Sequence, residues 1–115
     1  MASGAKNTSD SHLHQTLTAL GVPVERLRFT GEADTYITWQ TISGNEMAFA
    51  DDDSEEYEHY YRIDLFSRRN YVEKLIELRN ALKAAGFYGT SVNTEQIEND
   101  TKYYHASLNT YYLEG

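Results

Sequence analysis

The side chains capable of catalysis or metal binding in this sequence are few and far apart. There is no cysteine, so thiol chemistry, disulfides and cysteine metal sites are excluded. His12 and His14 are two residues apart, and a helix would turn them to different sides, where they cannot share a metal. His59 and His105 lie in separate predicted strands, and the plain interpretation is that both are half-exposed strand residues. The alternative is a small metal-dependent or acid–base enzyme, which needs His59, His105 and Asp64 within about 3–4 Å of a common point.

The acidic residues form a second group. Three aspartates, Asp51, Asp52 and Asp53, precede Glu55, Glu56 and Glu58. They lack the alternating ligands and central glycine of a calcium loop, so we expect a solvated loop, with weak divalent-cation binding as the alternative. Asp64 stands two residues after Arg62, and an ion pair there or across the strands is expected. Because no phosphate-binding, dinucleotide-binding, hydrolase or zinc-protease motif occurs, we predict no catalytic residues, cofactor or metal.

Composition narrows the class of protein further. The 115 residues fit one domain, and 18 acidic against 10 basic residues give a net charge of −8. That balance disfavours nucleic-acid binding, because phosphates are bound by local positive charge. No stretch approaches the roughly 20 apolar residues of a membrane span. We predict a disordered tail over residues 1–9 and a single α+β domain over residues 10–115.

One stretch, residues 55–86, organises the predicted fold. Tyr61, Ile63 and Leu65 alternate with polar and aromatic residues, as in a half-buried strand. After a cap at Ser67 or Asn70, apolar residues recur at helical spacing. That stripe comprises Tyr71, Leu75, Leu78 and Leu82, widened by Val72 and Ile76, and Gly86 stands where the helix should end.

The remaining segments complete a two-layer arrangement. We predict a helix from Ser9 or Asp10 to Gly21, strands over 24–29, 35–42 and 102–113, a long loop over 43–54 and a polar connection over 89–100. The element order is therefore α-β-β-β-α-β. It predicts a mostly antiparallel four-stranded sheet with two helices packed on one face.

Ten tyrosines are the most unusual feature of the composition. Several occur as doublets, which place aromatic rings on both faces of a strand. The sheet face without helices would carry Tyr36, Tyr60, Tyr103 and Tyr111. Tyrosine is enriched at interfaces, although it also simply suits strands and pairs across them. We predict a subunit or partner interface on this face and on the long loop, comprising Tyr36, Tyr60, Tyr103, Tyr111, Met47, Phe49, Asp51, Asp52 and Asp53.

Residues 24–112 also carry a pattern of motifs. The segments TYITWQ, YEHYYRIDLFSRRNYVEKLIELRNALKAAGF and ENDTKYYHASLNTYY follow one another, with the acidic loop between the first two. This pattern resembles the small tail-completion proteins of long-tailed phages (siphophages) and prophages of Gram-positive bacteria. These are the tail terminator, or tail-to-head joining, proteins.

The resemblance implies a structural role in the virion. It implies a hexameric ring on the end of the tail tube that stops tube growth and presents the surface for head attachment. The implied partners are further copies of the chain, the tail tube protein and a head-completion protein, assembled in the host cytoplasm. Another neck component, such as a head-closure or connector protein, is the nearest alternative. A cytosolic ligand-binding α+β module is a more distant one.

Overall fold

The computed structural model describes residues 8–42 and 57–114. These form two helices and a five-stranded mixed sheet, so the predicted α+β class is confirmed. In chain order the elements are α1 (Thr8–Thr18), β1 (Val24–Arg26), β2 (Thr35–Thr41), β3 (Tyr57–Ser67), α2 (Tyr71–Ala84), β4 (Tyr88–Ile97) and β5 (Tyr104–Glu114). The predicted long loop, residues 43–54, lies outside the described residues.

The sheet has one more strand than predicted. Its strand order is β1-β2-β3-β5-β4, with β1 parallel to β2 and the other neighbours antiparallel. The prediction of a polar connection over residues 89–100 was wrong, because most of that segment forms β4. The side chains of this edge strand are mostly exposed, and Val92 is its one apolar residue packed against the core. An exposed edge strand lacks the apolar alternation by which strands are recognised.

Both helices pack on one face of the sheet and share one core. Leu13 and Leu17 of α1 and Leu75, Leu78 and Leu82 of α2 are buried in it. The sheet contributes inward-facing residues, which are Val24, Ile37, Trp39, Tyr61, Ile63, Leu65, Ala106 and Leu108. Val72 and Ile76, which we had placed in the apolar stripe of α2, are instead 49% and 53% exposed.

The ends of α2 follow capping rules. Of the two predicted N-caps of α2, the structure has Asn70, because its side chain accepts a hydrogen bond from the Val72 amide. Ser67 belongs to β3, where its hydroxyl contacts that of Thr35 at 2.9 Å. Gly86 has a φ of 97°, a left-handed conformation that lets the chain turn from α2 into β4.

A buried polar contact fixes α1 to the sheet. The Tyr61 hydroxyl donates to Asp10 Oδ1 at 2.5 Å and accepts from Ser9 Oγ at 2.6 Å. Ser9 is fully buried in the helix, so its predicted place in a disordered tail was wrong. Burial, followed by the bond to Asp10, raises the pKa of Tyr61 well above its usual value, so this phenol stays protonated.

Candidate interface on the open face of the sheet

The face opposite the helices is the candidate site. Tyr61, Ile63 and Leu65 of β3 point into the core, so the alternate residues of that strand point the other way. Within residues 8–42 and 57–114, no helix covers this side, which we call the open face. Strand pairing sets its side chains next to one another, because Tyr36 of β2 lies opposite Phe66 and Tyr60 of β3 lies opposite Tyr111 of β5.

Five rings form the first aromatic cluster of the open face, which we call the Tyr36 cluster. Phe29, Tyr36, Phe66 and His105 stack in sequence, with centroid separations of 4.6, 4.7 and 4.2 Å. Tyr103 stands edge-on to Tyr36 at 5.4 Å and to Phe66 at 6.4 Å. Stacked and edge-to-face rings each add about 0.5–1.5 kcal/mol beyond the area that they bury. The cluster is therefore a rigid platform that crosses three strands.

Tyr103 connects this cluster to the loop that precedes β2. Its hydroxyl donates to the Ala33 carbonyl, and the Arg68 guanidinium lies 4.5 Å from the centre of its ring. As a result Tyr103 is only 8% exposed. Burial and the neighbouring Tyr103 raise the pKa of Tyr36, so its phenol is uncharged at neutral pH.

Three tyrosines form the second cluster, which we call the Tyr111 cluster. Tyr60 and Tyr111 stack with centroids 4.5 Å apart and planes within 5°, and Tyr88 of β4 stacks on Tyr111 at 5.8 Å. The Tyr88 hydroxyl donates to Glu58, and Asn109 Nδ2 donates to the Tyr60 hydroxyl at 2.6 Å. Burial, then the bond to Glu58, raises the pKa of Tyr88 to about 12.

A polar strip, formed by Arg62 and Asp64, lies between the two clusters and contacts His105 of the first cluster. Asp64 Oδ1 lies 2.8 Å from His105 Nε2, and the Arg62 guanidinium donates to the same carboxylate. The predicted Asp64–Arg62 ion pair is therefore confirmed. On the other side of the imidazole, His105 Nδ1 lies 3.7 Å from Glu98 Oε2. The strip carries charge in a partly buried setting, so it can orient a polar partner between two aromatic platforms.

The predicted acid–base set does not assemble. His105 and Asp64 meet on the open face, but His59 lies on the face that carries the helices, where Nε2 contacts Glu114 Oε1 at 2.9 Å. The N-terminal histidines have unrelated contacts as well. His12 Nε2 donates to the Ala85 carbonyl, and His14 Nδ1 accepts from the Trp39 indole. Among the described residues, no group of three or more His, Asp or Glu side chains is placed to hold a metal ion.

The predicted interface residues divide between the two clusters. Tyr36 and Tyr103 belong to the first, and Tyr60 and Tyr111 belong to the second. The rest of the prediction, comprising Met47, Phe49, Asp51, Asp52 and Asp53, lies outside the described residues. Sequence reasoning missed Phe29 and Tyr88, which extend the two clusters. Recognising β4 as a strand would have placed Tyr88 beside Tyr111.

No protein family matches the chain, and no curated protein does. Among solved structures, the chain is similar to a crystal structure of a protein from Akkermansia muciniphila. The two are 15% identical with a TM-score of 0.45, over 93% of this chain and 50% of that one, so this chain spans half the length of that protein. In the part of the chain that the structure describes, neither helix has the length and apolar character needed to cross a membrane.

Proposed function

We propose that this protein is a tail terminator, or tail-completion protein, of a siphophage or prophage. In this role several copies form a ring on the end of the tail tube, stop its growth and present the surface to which the head attaches. The motif pattern over residues 24–112 motivates the proposal. The open aromatic face of the sheet is the structural observation that supports it best.

The open face has the properties of a preorganised binding surface. Its rings are held by stacking and by hydrogen bonds, so little side-chain entropy remains to be lost on association. Tyr36, Tyr60 and Tyr111 are half-buried, which leaves part of each ring available to a partner. Interfaces between proteins are enriched in tyrosine for this combination of rigid apolar area and a polar hydroxyl.

The tyrosine hydroxyls add hydrogen-bonding capacity without charge. The hydrogen bond with Tyr60, followed by burial, raises the pKa of Tyr111, and the pKa values of Tyr36 and Tyr88 are raised too. At neutral pH these phenols are all protonated. Tyr88 donates to Glu58 and Tyr111 is hydrogen-bonded to Tyr60, so Tyr36 is the one of the three that can donate to a partner. Uncharged aromatic clusters on a protein of net charge −8 allow close contact between like-charged copies at these clusters.

The second candidate is another neck component, such as a head-closure or connector protein. The same open face would serve it, since an aromatic sheet face does not specify its partner. The two roles differ in where the protein binds. A terminator caps the tail tube, whereas another neck component would bind elsewhere in the head–tail joint.

Imaging of tail tubes tests the proposal. Purified protein is added to tubes that lack it, and electron micrographs are scored for density at one end. We expect end-capped tubes with wild type and at least a tenfold loss of capping with Y60S/Y111S. The matched control is Y71S/Y104S, which removes a stacked tyrosine pair, with centroids 5.2 Å apart, on the side of the helices. Absence of wild-type protein from tube ends, or equal loss in both variants, would contradict the proposal.

A further inference from the structure

A groove separate from the polar strip lies between α2 and the start of β4. Its volume is about 500 Å³, within the range of ligand-binding clefts. Phe87 and Ile76 provide apolar lining, and Arg79 and Lys83 line the groove from α2. Phe87 is 3% exposed and belongs to the core, whereas Ile76 is 53% exposed. The groove therefore combines a fixed apolar floor with two cations.

The two cations have no anionic partner in the described structure. Arg62, Arg69 and Lys74 form ion pairs, but within residues 8–42 and 57–114 none involves Arg79 or Lys83. They stand four residues apart on α2, a like-charge spacing that destabilises a helix by about 0.2–0.5 kcal/mol. The groove therefore carries local positive charge on a protein of net charge −8.

The chain itself contains a segment of complementary chemistry. Met47 and Phe49 are apolar anchors, and Asp51, Asp52 and Asp53 follow them directly. We infer that the groove binds segment 47–53 of a second copy of this chain, with the apolar residues against Ile76 and Phe87 and the aspartates against Arg79 and Lys83. The inference deepens the proposed function, on which it rests, by naming the contact between neighbouring copies.

A second copy is the occupant that the proposed ring requires, because a ring needs a contact between copies. The segment joins β2 to β3, and the groove opens at the start of β4. The starts of β3 and β4 both pair with the end of β5, so they lie at the same end of the sheet. Because the segment and the groove are different surfaces, the contact is head-to-tail, the type that closes into rings.

A labelled peptide tests the contact directly. A fluorescent peptide of residues 45–56, NEMAFADDDSEE, is titrated with protein at about 50 mM salt, where surface charges are weakly screened, and anisotropy is measured. We expect saturable binding to wild type and at least tenfold weaker binding to R79E/K83E. The control is R28E/K102E, which changes net charge equally at two cations that form no ion pair in the described residues, and it should bind within twofold of wild type. Thermal melts establish that all variants are folded.

Charge exchange then distinguishes a second copy from other occupants. A peptide carrying D51K, D52K and D53K should bind R79E/K83E and not wild type. In sedimentation velocity, full-length R79E/K83E mixed with full-length D51K/D52K/D53K should associate more strongly than either alone. Equal peptide binding by wild type and R79E/K83E, no binding by either, or no gain on mixing would overturn the inference.

The two proposals fail in different ways. If R79E/K83E binds the peptide like wild type but wild type still caps tail tubes, the groove contact is wrong and the proposed function stands. If the charge exchange succeeds but no protein is found at tube ends, the contact between copies stands and the tail role is wrong.

Discussion

Gly89 lies directly against the ring of Tyr111. A Cβ placed on Gly89 would meet Tyr111 Cδ1 at 2.9 Å, closer than real side chains allow. The residue also has a φ of 63°, which an L side chain rarely adopts. The close approach lets β4 pass beneath the aromatic rings, so Gly89 is part of what builds the Tyr111 cluster.

The Gly89→Ala substitution should therefore lower the free energy of unfolding by more than backbone strain alone would. We expect a loss of about 2–3 kcal/mol in the free energy of unfolding, from left-handed strain of about 1–2 kcal/mol plus the displaced ring. Gly21→Ala is the matched control, because Gly21 has a φ of 84° but nothing within 4 Å of its Cβ position. Urea denaturation measures both. Equal losses would show that Tyr111 is not held against Gly89.

The hydroxyl of Tyr61 should contribute more to the free energy of unfolding than the hydroxyls of exposed tyrosines do. Tyr61→Phe leaves Asp10 and Ser9 without their buried partner, so we expect it to cost about 1–3 kcal/mol. Tyr104→Phe is the control. Tyr104 is 38% exposed, and we expect a change in the free energy of unfolding within about 0.5 kcal/mol. Urea denaturation at pH 7 compares them. A Tyr61→Phe protein as stable as wild type would remove this contact as the anchor of α1.

Stability should fall in alkaline solution, because folding raises the pKa values of several tyrosines. The folded-state pKa values of Tyr36, Tyr61 and Tyr88 are raised above the unfolded value near 10. The unfolded chain therefore loses these protons first, and the stabilisation is complete below pH 10 and is lost as pH rises towards 12 and beyond. Urea midpoints at pH 8, 10 and 11 should show this decline, with a shallower decline in Tyr61→Phe. Constant stability from pH 8 to 11 would contradict it.

Asp64 should hold the polar strip of the open face together. Asp64→Ala removes the acceptor of both His105 and Arg62, and we expect a cost of about 1–3 kcal/mol. Asp64→Asn keeps one oxygen acceptor for His105 and should lower the free energy of unfolding by less than Asp64→Ala does. Urea denaturation gives both values, and a larger cost for Asn than for Ala would contradict this role of Asp64.

The sequence predicted elements that bury a regular face and missed those that do not. Strand β3 and helix α2 were recognisable because Tyr61, Ile63 and Leu65, and then Leu75 and Leu78, recur at strand and helical spacing. Strand β4 was missed because its stability comes from backbone pairing with β5, which leaves no apolar pattern. Burial of Ser9 was missed because it depends on Tyr61, 52 residues away.

For the candidate site, the sequence predicted the face but not its internal arrangement. Alternation within each strand placed four tyrosines on one side of the sheet. Their division into two clusters depends on strand register, which sets Tyr36 opposite Phe66 and Tyr60 opposite Tyr111. Phe29 lies beyond the end of β1, where no alternation predicts the direction of its ring.

The length of tails made without this protein tests the central claim most directly. The gene is deleted from the phage or prophage that carries it, and tail lengths are measured in electron micrographs of the lysate. Our account predicts overlong tubes without heads, restored to normal length and head attachment when the wild-type gene is supplied in trans. Tails of normal length that carry heads would contradict it.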